Sequence, residues 1–154
     1  MKVFSGRKTV CCAPERRWKQ MGEKDANKLI ESYCYGPVDL LQIRKGDSTM
    51  WLTLRDPVGR KARAVYHNCV YWRLDEKQTG MHLSLVQRIT AQELLERKNS
   101  VTLRELQKNS SDVTRLLMDW ESEGLSFYLH LGLQPEAEFL VVARSMVYRE
   151  KDAR

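Results

Sequence analysis

Much of the chemistry-bearing vocabulary of enzymes is missing from this chain of 154 residues. Its eight glycines are scattered singly, and none belongs to a G-x-G-x-x-G or G-x4-G-K-[ST] pattern. Backbone cradles for phosphate need such clustering, so the common nucleotide-dependent activities are not indicated. There is no G-x-S-x-G elbow and no H-E-x-x-H helix. Only three histidines, His67, His82 and His130, are available as bases. No apolar run approaches the roughly 18 residues that a spanning helix requires. No apolar stretch follows the basic start Met1–Lys8, so a cytoplasmic location is the default expectation. Repeats at solenoid or propeller periods and low-complexity tracts are also absent.

Cysteine is sparse, with Cys11, Cys12, Cys34 and Cys69 as the complete set. Without a secretory leader these read as unpaired thiols. Cys34 and Cys69 lie in apolar-patterned segments, where a free cysteine behaves as a small hydrophobe. Zinc sites announce themselves as paired ligands at C-x2-4-C or H-x3-5-H spacing. The nearest approach here is His67-x-Cys69, whose two side chains share a face if the strand is regular. No metal and no cofactor is expected. Paired carboxylates at Asp75-Glu76 and across Asp119–Glu123 sit at element ends, where charges normally face water.

The composition that is present is globular, 42% hydrophobic and 30% charged. A chain this long buries enough surface to need no staple. The net charge of +6 is unevenly placed. Residues 1–24 hold seven Lys/Arg against Glu15 and Glu23, whereas the rest holds 19 basic and 18 acidic residues. The division expected is a basic, partly ordered arm over residues 1–22 and a single α+β domain over 23–154.

Within that domain, Ala26, Leu29, Ile30, Tyr33 and Cys34 fall on one helical face, predicting an N-terminal helix from Glu23 to Tyr35, stopped by Gly36-Pro37. The period then becomes two. Val38–Arg44 and Thr49–Arg55 read as strands, with Met50, Leu52 and Leu54 on one side and Trp51, Thr53 and Arg55 on the other. Asp56-Pro57-Val58-Gly59 is the strongest turn signal in the chain. Lys61–Tyr66 and then Cys69–Leu74 continue as strand material, readable as one long strand bent near His67-Asn68, and Met81, Leu83 and Leu85 alternate with His82, Ser84 and Val86. Thr90-Ala91-Gln92-Glu93 matches a capping box, and Thr102–Glu105 fits either the same pattern or an irregular connection. Val113, Leu116, Leu117 and Trp120 form a helical stripe. Leu125–Leu133 and Phe139–Tyr148 close the chain as strands. The predicted fold is α+β: a curved antiparallel sheet or partial barrel of about seven strands, with an N-terminal helix and a short helical insert.

Function is legible only as surfaces. Trp51 and Arg55, Arg63 and His67, and Tyr71 and Arg73 pair on the less apolar strand faces. Together they suggest an Arg/aromatic surface, in which guanidinium forks and ring faces meet an anionic or flat partner. The competing reading is an ordinary solvated sheet face. The arm offers Arg7, Lys8, Arg16, Arg17 and Trp18 as a second binding element. The leading expectation is a non-enzymatic interaction or regulatory protein, with a protein partner engaged through the sheet face or the arm; a bacterial accessory protein has this size and this lack of motifs. A nucleic-acid-binding protein using both elements is the alternative. A small enzyme built on His67 or His82 is the second alternative. No membrane partner is expected. The strand Phe139–Tyr148, apolar on both faces, reads as a central strand, with a homodimer seam as the other option.

Overall fold

The computed structural model describes residues 32–150 except 75, 98 and 135. The basic arm, with Arg7, Lys8, Arg16, Arg17 and Trp18, lies outside the described residues, as does nearly all of the expected N-terminal helix. The end of that predicted helix is a strand instead, β1 (Tyr33–Tyr35). Its partner requirements explain the difference, because Tyr35 is drawn fully into the core, where its ring stacks on Tyr148 at 4.7 Å.

The strands that follow are β2 (Val38–Lys45), β3 (Met50–Arg55), β4 (Lys61–Trp72), β5 (His82–Leu83) and β6 (Leu85–Ile89). A helical insert supplies α1 (Ala91–Leu95), α2 (Val101–Asn109) and α3 (Val113–Ser122). Strands β7 (Ser126–Leu131) and β8 (Glu138–Glu150) complete the chain. All eight belong to one antiparallel sheet in the order β1-β6-β7-β8-β4-β3-β2-β5. Eight strands agree approximately with the expected seven; β1 and the break at Ser84, which divides β5 from β6, were not foreseen.

That break sets the shape of the sheet. In the strand order β6 and β5 are six steps apart, which in a flat sheet is roughly 29 Å. One residue, Ser84, joins them in the chain. Leu83 pairs with Val38 of β2, and Leu85 pairs with Leu131 of β7. The sheet therefore curls back on itself, although β1 and β5 remain unpaired with each other. Leu83 and Val86 both face the core, so the expected regular alternation of Met81, Leu83 and Leu85 shifts phase at Ser84.

The curl creates two apolar layers. Inside it, Leu40, Met50, Leu52, Leu54, Ala64 and Tyr66 are completely buried. Outside, the helices cover one end of the sheet, packing Leu94, Leu106 and Leu117 against Phe127, Leu129, Leu140 and Val142. This double cover makes β7 and the first half of β8 buried on both sides. Strand β8 lies between β7 and β4. Its residues 138–143 run beneath the helices, whereas residues 144–150 pair with β4 alone beyond the end of β7.

The helices begin as their side chains require. Thr90 and Glu93 form the capping box of α1, and Glu121 of α3 accepts from the Ala91 amide at 2.9 Å. Helix α2 is capped by Ser100 and not by Thr102, which lies buried within its first turn. Ser100 Oγ accepts from the Leu103 amide and donates to the buried Glu138 carboxylate at 2.8 Å, a long-range tie that outweighs the local pattern.

The Asp56 hairpin forms with a three-residue loop. Gly59 N–H donates to Asp56 C=O at 3.0 Å, and Gly59 takes φ +94°. This is a type I turn followed by a left-handed residue, the usual three-residue hairpin. The Asp56 carboxylate, 7% exposed, accepts from the Val58 and Arg60 amides and from Arg60 Nε.

Candidate functional site: a bare cationic face of the sheet

The insert covers only one end of the outer surface. At the other end, β3, the first half of β4 and the last part of β8 alternate between the interior and water. Strand β2 rejoins their pattern after an irregularity between Leu40 and Gln42. Met50, Leu52, Leu54, Ala62 and Ala64 point inward, so their neighbours point out. Cross-strand pairing then fixes the outer rows. One row runs Arg44–Trp51–Val65–Val147. The next runs Gln42–Thr53–Arg63–Arg149, and the last runs Asp39–Arg55–Lys61.

Arg44, Arg55, Lys61, Arg63 and Arg149 are all exposed on this face. None makes an ion pair with another described residue. Asp39 is the carboxylate among them, and His82 Nδ1 already occupies it at 2.9 Å. Two of the pairings set like charges directly opposite each other, Arg63 with Arg149 and Arg55 with Lys61. Such pairs destabilise a sheet by a few tenths of a kcal/mol or more. Trp51 is half-buried. Arg44 stacks over its ring at 5.4 Å, and a Cβ at Gly46 would stand only 3.1 Å from it, so the glycine lets the turn settle against the indole. Val147 is 39% exposed.

Of the residues singled out in the sequence, Trp51, Arg55, Arg63 and His67 share this face. Tyr71 and Arg73 do not join them. Alternation along β4 and β8 changes phase around Asn68, which takes φ +55°, and the register shifts again between Cys69 and Tyr71. Tyr66 and Met146 face the interior on one side of this point, and Trp72 and Val141 face it on the other. The two irregularities offset each other along β4, since Tyr66 and Trp72 both face inward. Tyr71 thus keeps the outer side of the sheet but lies at the end that the helices cover, 5.9 Å from Trp120. Arg73 reaches Glu105 of α2 at 3.6 Å and lies over the Phe139 ring. The same change of phase separates His67 from Cys69. His67 is exposed, whereas Cys69 packs against the inner core with its thiol toward the Tyr66 carbonyl. Arg44, Lys61 and Arg149 complete the face and were missed. Strand alternation alone marks Arg44 as outward, but only the β4–β8 register brings Arg149 beside Arg63.

The histidines take three different environments. His67 stands on the bare face opposite Ser145. His82 is oriented by Asp39, and among the described residues no hydroxyl or thiol is bonded to its other nitrogen. His130 is completely buried, with Nδ1 at 3.1 Å from Tyr128 C=O and 3.3 Å from Phe139 C=O. Carbonyls only accept, so Nδ1 carries the proton and Nε2 must accept. Tyr66 therefore donates to Nε2 at 2.7 Å, and its oxygen is left to accept from Tyr35 O–H at 2.5 Å. The chain of bonds has one direction, from Tyr35 through Tyr66 and His130 to the backbone. Burial holds His130 neutral, lowering its pKa to about 4, and pushes Tyr35 and Tyr66 well above the ordinary phenol range. This network is a satisfied polar core rather than a reactive centre.

A shallow, polar hollow is lined by Leu95, Leu103, Gln107 and residues 110–114 at the start of α3, and no histidine lines it. Among the described residues, no helix is long and apolar enough to cross a membrane. Comparison of the chain with protein-family models, curated proteins and solved structures finds no match.

Proposed function

We propose that this chain is a non-catalytic interaction protein whose bare sheet face binds an anionic macromolecular partner. The observation that carries this reading is the pair of like-charge contacts, Arg63 with Arg149 and Arg55 with Lys61, held exposed and without ion-pair partners among the described residues. In isolation they cost stability, and an anion laid across them turns that cost into attraction. Trp51, Val65 and Val147 supply an apolar strip beside the cations, the combination found at binding surfaces rich in Trp and Arg.

Retention on an immobilised polyanion tests the proposal. The full chain is expected to elute at high salt, and R63E/R149E at markedly lower salt with an unchanged far-UV spectrum. Equal elution of the two proteins refutes the assignment of binding to this face.

A further inference from the structure

We infer that the anionic partner is a single-stranded nucleic acid, whose phosphates follow the cationic rows while its bases lie on the Trp51 strip. The inference rests on the reading of this face as an anion-binding surface and goes further in naming the ligand. Lys61 and Arg63 are two residues apart on β4, placing them about 7 Å from each other along the strand. Arg55 and Arg149 stand one strand to either side, about 5 Å away. The result is a ladder of cations at the scale on which a nucleic-acid backbone repeats its charge. Most of its members are arginines, whose planar forks match phosphate oxygens.

The apolar row lies beside this ladder, one further step along the strands. Trp51, Val65 and Val147 run parallel to the row that contains Arg63 and Arg149. A backbone on the cations thus delivers its bases onto the indole and the valines, the division of labour used by sequence-tolerant single-strand binders. A duplex keeps its bases stacked inside and leaves that row unused. The outer side of a curled sheet is also convex and does not wrap a duplex.

An acidic protein fits less well. A stable protein interface needs an apolar centre within about 800 Å² per partner. Here that centre consists of one half-buried tryptophan and two valines. A nucleic acid needs little apolar area, because counterion release from phosphates supplies most of its affinity.

The test is fluorescence anisotropy with the full chain. The probes are labelled oligo(dT) and oligo(U) of about 16 nucleotides, a hairpin duplex, and poly-glutamate as competitor. Single strands should bind more tightly than the duplex, with affinity falling steeply between about 50 and 200 mM salt. In R63Q/R149Q, single-strand affinity should fall about tenfold and the salt slope should flatten by about 1.4, the share of two phosphates. The melting temperature of that variant should stay level or rise, since a like-charge contact has been removed. W51L should weaken single-strand binding about tenfold through lost stacking. Poly-glutamate competing as well as oligo(dT) at equal charge overturns the nucleic-acid assignment and leaves the anion-binding reading standing. Tighter binding to the duplex overturns it too. Unchanged affinity in R63Q/R149Q removes this face from the interaction. No binding to any polyanion at low salt sinks both the inference and the reading on which it rests.

Discussion

Replacing Tyr66 by phenylalanine should be among the most damaging single-atom changes available in this protein. The hydroxyl bridges the Tyr35 donor and the neutral Nε2 of His130, and all three residues are completely buried. Its loss leaves one donor and one acceptor unmet in a dry interior. Each such group costs about 1–3 kcal/mol, so Tyr66→Phe is expected to lose roughly 2–6 kcal/mol. Tyr35→Phe is predicted to be milder. Tyr35 only starts the chain of bonds, and without it the Tyr66 proton still reaches His130. The loss should be about 1 kcal/mol. The double variant carries the sharper expectation. Once Tyr66 has lost its hydroxyl, that of Tyr35 is an unpaired donor, and removing it should cost nothing or restore stability. Urea unfolding followed by far-UV circular dichroism measures all four corners of this cycle, with constant m-values as the condition for comparison. Equal losses for the two single variants, or strict additivity in the double, would refute the directional chain deduced from the His130 tautomer.

Acid should act through the same network. His130 has a folded pKa of about 4 against an ordinary value of 6.5, so between these values the unfolded chain takes up a proton that the folded one does not. The stabilisation is complete above pH 6.5 and should decline by roughly 3 kcal/mol as pH falls to 4; in His130→Gln this part of the decline should vanish, and an identical pH slope in both proteins would contradict it. At the β3–β4 hairpin, Gly59→Ala should cost about 1 kcal/mol through backbone strain alone, because nothing lies within 4 Å of the added Cβ. Asp56→Ala should cost about 2 kcal/mol by releasing two buried amide bonds, and chemical denaturation ranks the two. Burial raises the Cys34 thiol to about 12, so alkylation mapped by mass spectrometry at mildly alkaline pH should be roughly a thousandfold slower in the native than in the unfolded chain.

The parts of the fold that could be read in advance are those where local chemistry and tertiary demand agree. Met50, Leu52 and Leu54 alternate into the core as their spacing implies, Thr90 and Glu93 form their capping box, and Gly59 supplies the left-handed exit of its hairpin. Agreement ends where a distant partner decides. Ser100 takes the cap of α2 because Glu138, far along the chain, needs its hydroxyl. Tyr35 leaves the helical stripe because Tyr66 and Tyr148 receive it. His130 sits in a run of alternating leucines with no sign in its neighbours that it would be buried and neutral. The candidate face shows the same division. Alternation within single strands paired Trp51 with Arg55 and Arg63 with His67, and the β3–β4 register then sets the two pairs on one face. Tyr71 and Arg73 lie on the outer side of the sheet as well, but the helical insert covers that end, and strand alternation carries no sign of that cover. Arg149 was invisible until the β4–β8 pairing was known.

That pairing also has consequences while the protein is being made. Strand β4 must wait for β8, which the ribosome delivers some seventy or more residues later. Contacts this distant in sequence form slowly, and in the interval the β2–β3–β4 meander offers a twelve-residue edge to any passing strand. Lys61, Arg63 and His67 stud that edge, and the kink at Asn68 spoils its straightness; charge and irregularity are the means by which exposed strands avoid aggregation. The residues that leave the finished sheet short of negative charge are therefore also the ones that keep its half-built form from joining its neighbours.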